Sequence, residues 1–102
     1  MSIYKVYIAG PMTGLPGLNF DAFHAEAARL RALGYCVVNP AELNPDLNMP
    51  WSNCLRIALP ALCGCDAIAL LPGWELSTGA HLERYVAKQI GLQILICEEI
   101  TK

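Results

Sequence analysis

The sequence predicts an α/β domain in which four parallel strands are covered by helices. Three observations predict it. Short apolar runs that stop at glycine or proline alternate with longer segments whose apolar residues recur every three or four positions. Hydrophobic residues make up 55% of the 102 residues and charged residues only 16%, so a sheet buried on both faces is expected. A chain of this length is expected to form one domain, residues 1–102, with a core that needs no disulfide or metal.

Ile3 to Ala9 is apolar, β-branched and aromatic, and ends at Gly10-Pro11, which predicts the first strand. Asn19 is placed to cap a helix with Asp21 in its first turn. Phe20, Phe23, Ala27 and Leu30 carry that helix to Leu33, and Gly34 supplies a C′ glycine. Tyr35 to Val38 predicts a short second strand, ended by Asn39-Pro40. The polar stretch Ala41 to Met49 predicts a loop long enough to form a lid or rim. Pro50 to Leu62 predicts a helix that Pro60 should kink or end early.

Ala67 to Leu71 is a continuous apolar run, as a central parallel strand requires. Ser77 caps a helix running to about Gln89 and closed by Gly91, and Gln93 to Cys97 forms the last strand. Right-handed crossovers then favour the order 2-1-3-4, a flavodoxin-like (Rossmann-like) three-layer α/β/α fold.

Net charge is −2 with no basic stripe, so no DNA or RNA polymer is expected as partner. The N-terminal apolar stretch is too short for a signal peptide, and no apolar run would span a bilayer. Five scattered cysteines (Cys36, Cys54, Cys63, Cys65 and Cys97) suggest free thiols in a reducing, cytoplasmic setting. Cys63-Gly64-Cys65 lacks partners for zinc and reads as buried thiols, and His24 and His81, without partners at metal spacing, read as surface or helix-face residues. Neither metal nor cofactor is expected. The apolar composition favours a homodimer or higher homo-oligomer.

Open parallel sheets bind ligands beyond the carboxyl ends of their strands, at the switch point between the first and third. Two loops lie there. Gly10-Pro11-Met12-Thr13-Gly14-Leu15-Pro16-Gly17 can bring backbone N–H groups to an anion, or can be a plain turn. Pro72 to Ser77 runs into Thr78-Gly79-Ala80, a helix start suited to a phosphate or carboxylate, although Ser77 is equally an ordinary cap. Trp74 is placed to stack on a base or sugar, or to pack over its own loop, and Tyr7 near the end of the first strand can reach the crevice.

Glu83 is the sharper signal. It falls on the stripe formed by Gly79, Ala80, Val86, Ala87 and Ile90, which should face the sheet, and no basic residue stands at i+3 or i+4. A carboxylate there is desolvated, which raises its pKa unless donors satisfy it. Such placement is enriched at functional sites; a distant arginine or backbone donors would be the structural alternative.

Tyr7-Ile8-Ala9-Gly10-Pro11-Met12-Thr13-Gly14, Asn39-Pro40-Ala41-Glu42 and the run from Cys65 to Glu83 resemble a family of small bacterial and phage proteins, DUF4406. That family is in turn similar to the nucleoside 2-deoxyribosyltransferase superfamily. The resemblance covers nearly the whole chain, and the string Leu71-Pro72-Gly73-Trp74-Glu75-Leu76-Ser77-Thr78-Gly79-Ala80-His81-Leu82-Glu83 carries most of it.

The resemblance implies an N-glycosidic hydrolase or transferase acting on (deoxy)nucleosides or nucleoside 5′-monophosphates. Glu83 matches the nucleophile and Tyr7 a tyrosine that lines the sugar and orients the glutamate. Gly10, Met12, Thr13, Gly14, Ser77 and Gly79 would hold phosphate or sugar, and Trp74 would cover the base. Ser77 matches a phosphate-binding serine of the monophosphate hydrolases, which favours nucleotides. The superfamily often completes its site across a dimer. Two positions depart. Ala58 stands where the superfamily has an aspartate that helps the base depart, and Pro11 replaces a first-loop serine. These departures imply a second reading, a nucleotide-binding or sensing module without turnover; a third is an assembly protein using the fold as scaffold.

Overall fold

The computed structural model describes residues 4–102. Four strands, β1 (Lys5–Ala9), β2 (Cys36–Val38), β3 (Ala67–Leu70) and β4 (Gln93–Ile96), form one parallel sheet in the order β2-β1-β3-β4. The predicted order is therefore the observed one. Ile3, predicted to start the first strand, lies outside the described residues. Four α-helices connect or flank the strands: α1 (Phe20–Ala32), α2 (Pro40–Leu43), α3 (Trp51–Cys63) and α4 (Thr78–Gln89).

The two-residue period of β1 sorts the core into two layers. Val6 and Ile8 pack with Ala67 and Ala69 against Phe23, Ala27 and Leu30 of α1. Tyr7 and Ala9 point the other way, with Ile68 and Leu70, toward Ala58 and Leu62 of α3 and Ala80 and Ala87 of α4. All four residues of β3 are buried, as its unbroken apolar run requires. Asp66 ties off the far end of the sheet. Its carboxylate accepts the Lys5 N–H at 2.8 Å and its own N–H donates to the Lys5 carbonyl at 2.8 Å.

Helix ends follow their sequence signals with two exceptions. After α1, Gly34 has φ +101° and its N–H reaches the Arg31 carbonyl, while the Tyr35 N–H reaches Leu30. Gly91, with φ +83°, closes α4 in the same manner through Lys88 and Ala87. The Ser77 hydroxyl oxygen accepts the Ala80 N–H at 3.1 Å, as a cap should.

Asn19 departs from its predicted role. Gly17, Leu18 and Asn19 are successively left-handed within a short 3-10 turn, Pro16–Asn19, and turn the Asn19 amide away from the helix. It donates instead to the Pro11 carbonyl at 3.0 Å and ties the first loop down. The predicted loop after β2 also begins differently. Asn39 accepts the Ala41 N–H at 3.0 Å, Pro40 occupies the first helical position, and one helical turn, α2, precedes the irregular stretch.

Pro60 neither ends nor shortens α3, which continues to Cys63. Pro60 is exposed near the helix terminus, where it removes one hydrogen bond, and fully buried Leu62 anchors the turn beyond it. Among the described residues, no helix is long and apolar enough to cross a membrane.

Candidate functional site

Tyr7 is fully buried, and β1 aims its side chain at α4. Ala80, Glu83 and Ala87 form the buried stripe of that helix, so the spacing that marks Glu83 brings it onto the sheet. The stripe stops at Ala87. Ile90, predicted to extend it, is exposed because the chain has begun its turn into Gly91.

The Tyr7 hydroxyl donates to Glu83 Oε2. Among the described residues, neither a distant arginine nor a backbone donor holds this carboxyl: Arg84 lies instead over the Trp74 ring, 5.4 Å from its centroid. Burial raises the Glu83 pKa from 4.5 to about 7, and the Tyr7 hydrogen bond opposes that rise. Burial and the neighbouring Glu83 push the phenol well above its ordinary range, so Tyr7 stays protonated and donates.

The pair lies at the floor of a cleft of about 690 Å³. This is within the range of small-molecule sites, and the position is the one the strand-end rule predicts. Of the residues singled out from the sequence, Tyr7, Gly10, Met12 and Thr13 line it from the β1 side. Ser77, Gly79 and Glu83 line it from α4.

Gly10 has a structural reason to be glycine. A Cβ there would stand 2.7 Å from the Cβ of Leu71, whose N–H bonds the Ala9 carbonyl at 2.8 Å. Gly14 is not among the lining residues. It takes the left-handed position, φ +85°, of a turn closed by the Leu15 N–H on the Met12 carbonyl, so the plain-turn alternative accounts for it.

Trp74, expected to cover the base, is likewise not among the lining residues. The 3-10 turn Trp74–Leu76 packs its indole into the core beside α4. His81 lies 5.0 Å from its ring centroid, and Arg84 also packs on it.

The aromatic wall comes instead from Trp51, which the sequence reading missed. Trp51, Cys54, Leu55 and Ala58 follow the i, i+3, i+4, i+7 spacing of one helix face, and all four line the cleft. That periodicity was the available signal. The stretch between α2 and α3, including Asp46, Leu47 and Met49, forms the rim. Ala58 presents a methyl group to the same cleft as Glu83, and Asp66 is at the opposite end of β3.

Among the described residues, no group of three or more His, Cys, Asp or Glu side chains is arranged to hold a metal. All five cysteines are free; Cys65 and Cys97 are buried, with thiols pushed up to about 11 and about 12 by desolvation. Cys63, expected to be buried, is exposed at the end of α3.

The model of the family described as "Domain of unknown function (DUF4406)" matches residues 4–96. No curated protein matches the chain. The chain belongs to the DUF4406 family.

Proposed function

We propose that this DUF4406 protein cleaves or transfers the N-glycosidic bond of (deoxy)nucleosides or nucleoside 5′-monophosphates, with Glu83 as nucleophile. The buried Glu83–Tyr7 pair at the floor of an open cleft carries the reading. The resemblance to nucleoside 2-deoxyribosyltransferases supplies the substrate class.

In this mechanism a Glu83 carboxylate oxygen bonds to the anomeric carbon as the carbon–nitrogen bond breaks. The bonding electrons leave with the base, which takes a proton from solvent. Water then attacks the anomeric carbon of the glycosyl ester and gives up a proton to solvent, which yields the free sugar and restores the carboxylate. A second base in place of water gives transfer. Tyr7 positions the carboxylate and favours its ionised form. With Ala58 in the cleft, no acid at that position assists the departing base; such assistance is typically worth about 10²–10⁴-fold. A slow enzyme is the expectation.

The test is chromatographic measurement of free base from a panel of deoxynucleosides, ribonucleosides and their 5′-monophosphates. Release is expected from wild type and not from Glu83→Ala. No release from any substrate contradicts the enzymatic reading. The Ala58 methyl favours one alternative, a nucleotide-binding or sensing module. Calorimetry separates the two, since the module binds without turnover. Ala58→Asp would then confer hydrolysis if only the acid is missing. Homo-oligomerisation belongs to the proposal as well: Leu76, 91% exposed, and Leu47, 50% exposed, stand at the cleft mouth. Light scattering showing a strict monomer would contradict that part.

A further inference from the structure

Two properties of the cleft concern the charge of its ligand and the surface on which a base would lie. Among the described residues, no lysine, arginine or histidine lines it, and its acidic side chains are Asp46 and Glu83. A phosphate monoester carries about −1.5 to −2 charges near neutral pH. It would meet Asp46, and Glu83 once that carboxyl ionises, with no side-chain cation to offset them. The first turn of α4 offers backbone donors but no full positive charge. The Ala80 N–H is already bonded to Ser77 Oγ, and the indole Nε1 of Trp51 lies 3.4 Å from where a Cβ on Gly79 would sit.

The aromatic lining points the same way. Tyr7 and Phe23 are buried, and Phe20 packs against the α1 layer of the core. Trp51 is half exposed and lines the cleft, whereas His81 and Arg84 pack on Trp74. Gly79 leaves room for the indole edge to approach α4.

We propose that the cleft selects an uncharged planar ligand, a nucleoside in preference to its 5′-monophosphate, with Trp51 as the surface on which the base stacks. This rests on the nucleoside reading of the cleft and narrows it. It also runs against the preference for nucleotides that Ser77 implies by resemblance. Phosphate repulsion excludes the charged ligand, and stacking on the open indole holds the neutral one.

Calorimetry with a purine and a pyrimidine C-nucleoside, and with their 5′-monophosphates, tests this without turnover, because a carbon–carbon bond replaces the scissile one. At least one nucleoside should bind about tenfold or more tightly than its monophosphate. Trp51→Ala should weaken that binding about tenfold, and Trp51→Phe by less. Equal or tighter binding of the monophosphates overturns the inference and leaves the glycosidase reading standing. Undiminished binding by Trp51→Ala also overturns it. If neither ligand class binds, the nucleoside reading itself falls and the inference with it. Should Trp51→Ala fail to fold, the wild-type comparison and Trp51→Phe still decide.

Discussion

The hydroxyl of Tyr7, fully buried on the central strand β1, donates to the carboxyl of Glu83 on α4, seventy-six residues further along the chain. Burial drives this carboxyl toward its neutral form, and the phenol holds it toward its ionised form. The balance of the two, a pKa of about 7, makes Glu83 sensitive to pH where an ordinary glutamate is not.

The first consequence is a pH profile. A nucleophilic carboxylate must be ionised, so kcat/KM for base release should rise with pH and level off above about 7. Tyr7→Phe removes the interaction that lowers the pKa. Its profile should therefore shift to higher pH as well as to lower rates. An unshifted profile in Tyr7→Phe would show that the hydrogen bond does not tune Glu83.

A second consequence is thermodynamic. The folded-state pKa of Glu83 lies above its unfolded value, so the folded protein binds the extra proton between 4.5 and about 7. Its contribution to stability is greatest below 4.5 and is lost as pH rises through about 7. Glu83→Gln keeps an acceptor for Tyr7 but cannot ionise. Relative to wild type it should gain roughly 2–3 kcal/mol between about pH 5 and about pH 8. Urea denaturation at the two pH values measures the difference, and comparing two variants cancels the titration of other groups. Glu42, held below its ordinary value by Arg31, acts in the opposite sense in both.

Gly10→Ala would place a Cβ 2.7 Å from the Cβ of Leu71. It should destabilise the protein by about 1–3 kcal/mol, the usual range for overpacking. Leu71→Gly, which removes that Cβ, should recover part of that loss, and a double-mutant cycle of thermal unfolding would show the recovery as coupling between the two positions.

Trp74→Ala should lower the melting temperature, because it removes an indole packed against His81 and Arg84. Any ligand binding or base release by the folded variant should stay close to that of wild type, since the indole is not among the residues lining the cleft. A larger loss would return Trp74 to the cleft.

Much of the fold is legible in the sequence because its punctuation is local. Gly34 and Gly91 end helices by conformations that glycine adopts freely, and Ser77 caps α4 through its own oxygen. The order of the strands follows from four apolar runs and the handedness of crossovers. Asn19 and Asn39 show the limit. Both are good caps by composition, but only Asn39 caps a helix, because three left-handed residues redirect Asn19 to the loop. The single turn of α2 is too short for any periodicity to reveal it.

The site divides similarly. Glu83 is legible because a helix converts spacing into direction, and a stripe that faces the sheet buries the carboxylate standing on it. Trp74 is not, because a position in a loop says nothing about where an indole points. Trp51 opens a helix as an exposed aromatic and resembles surface until the fold brings Gly79 beneath it.

The nucleophilic role of Glu83 is tested most directly by acid-quenching the protein during turnover of a deoxynucleoside and mapping its peptides by mass spectrometry. The mechanism predicts a mass increase of one deoxyribosyl group on the peptide carrying Glu83, and none in Glu83→Gln. Base release that persists in Glu83→Gln, or a sugar attached to another residue, would contradict it.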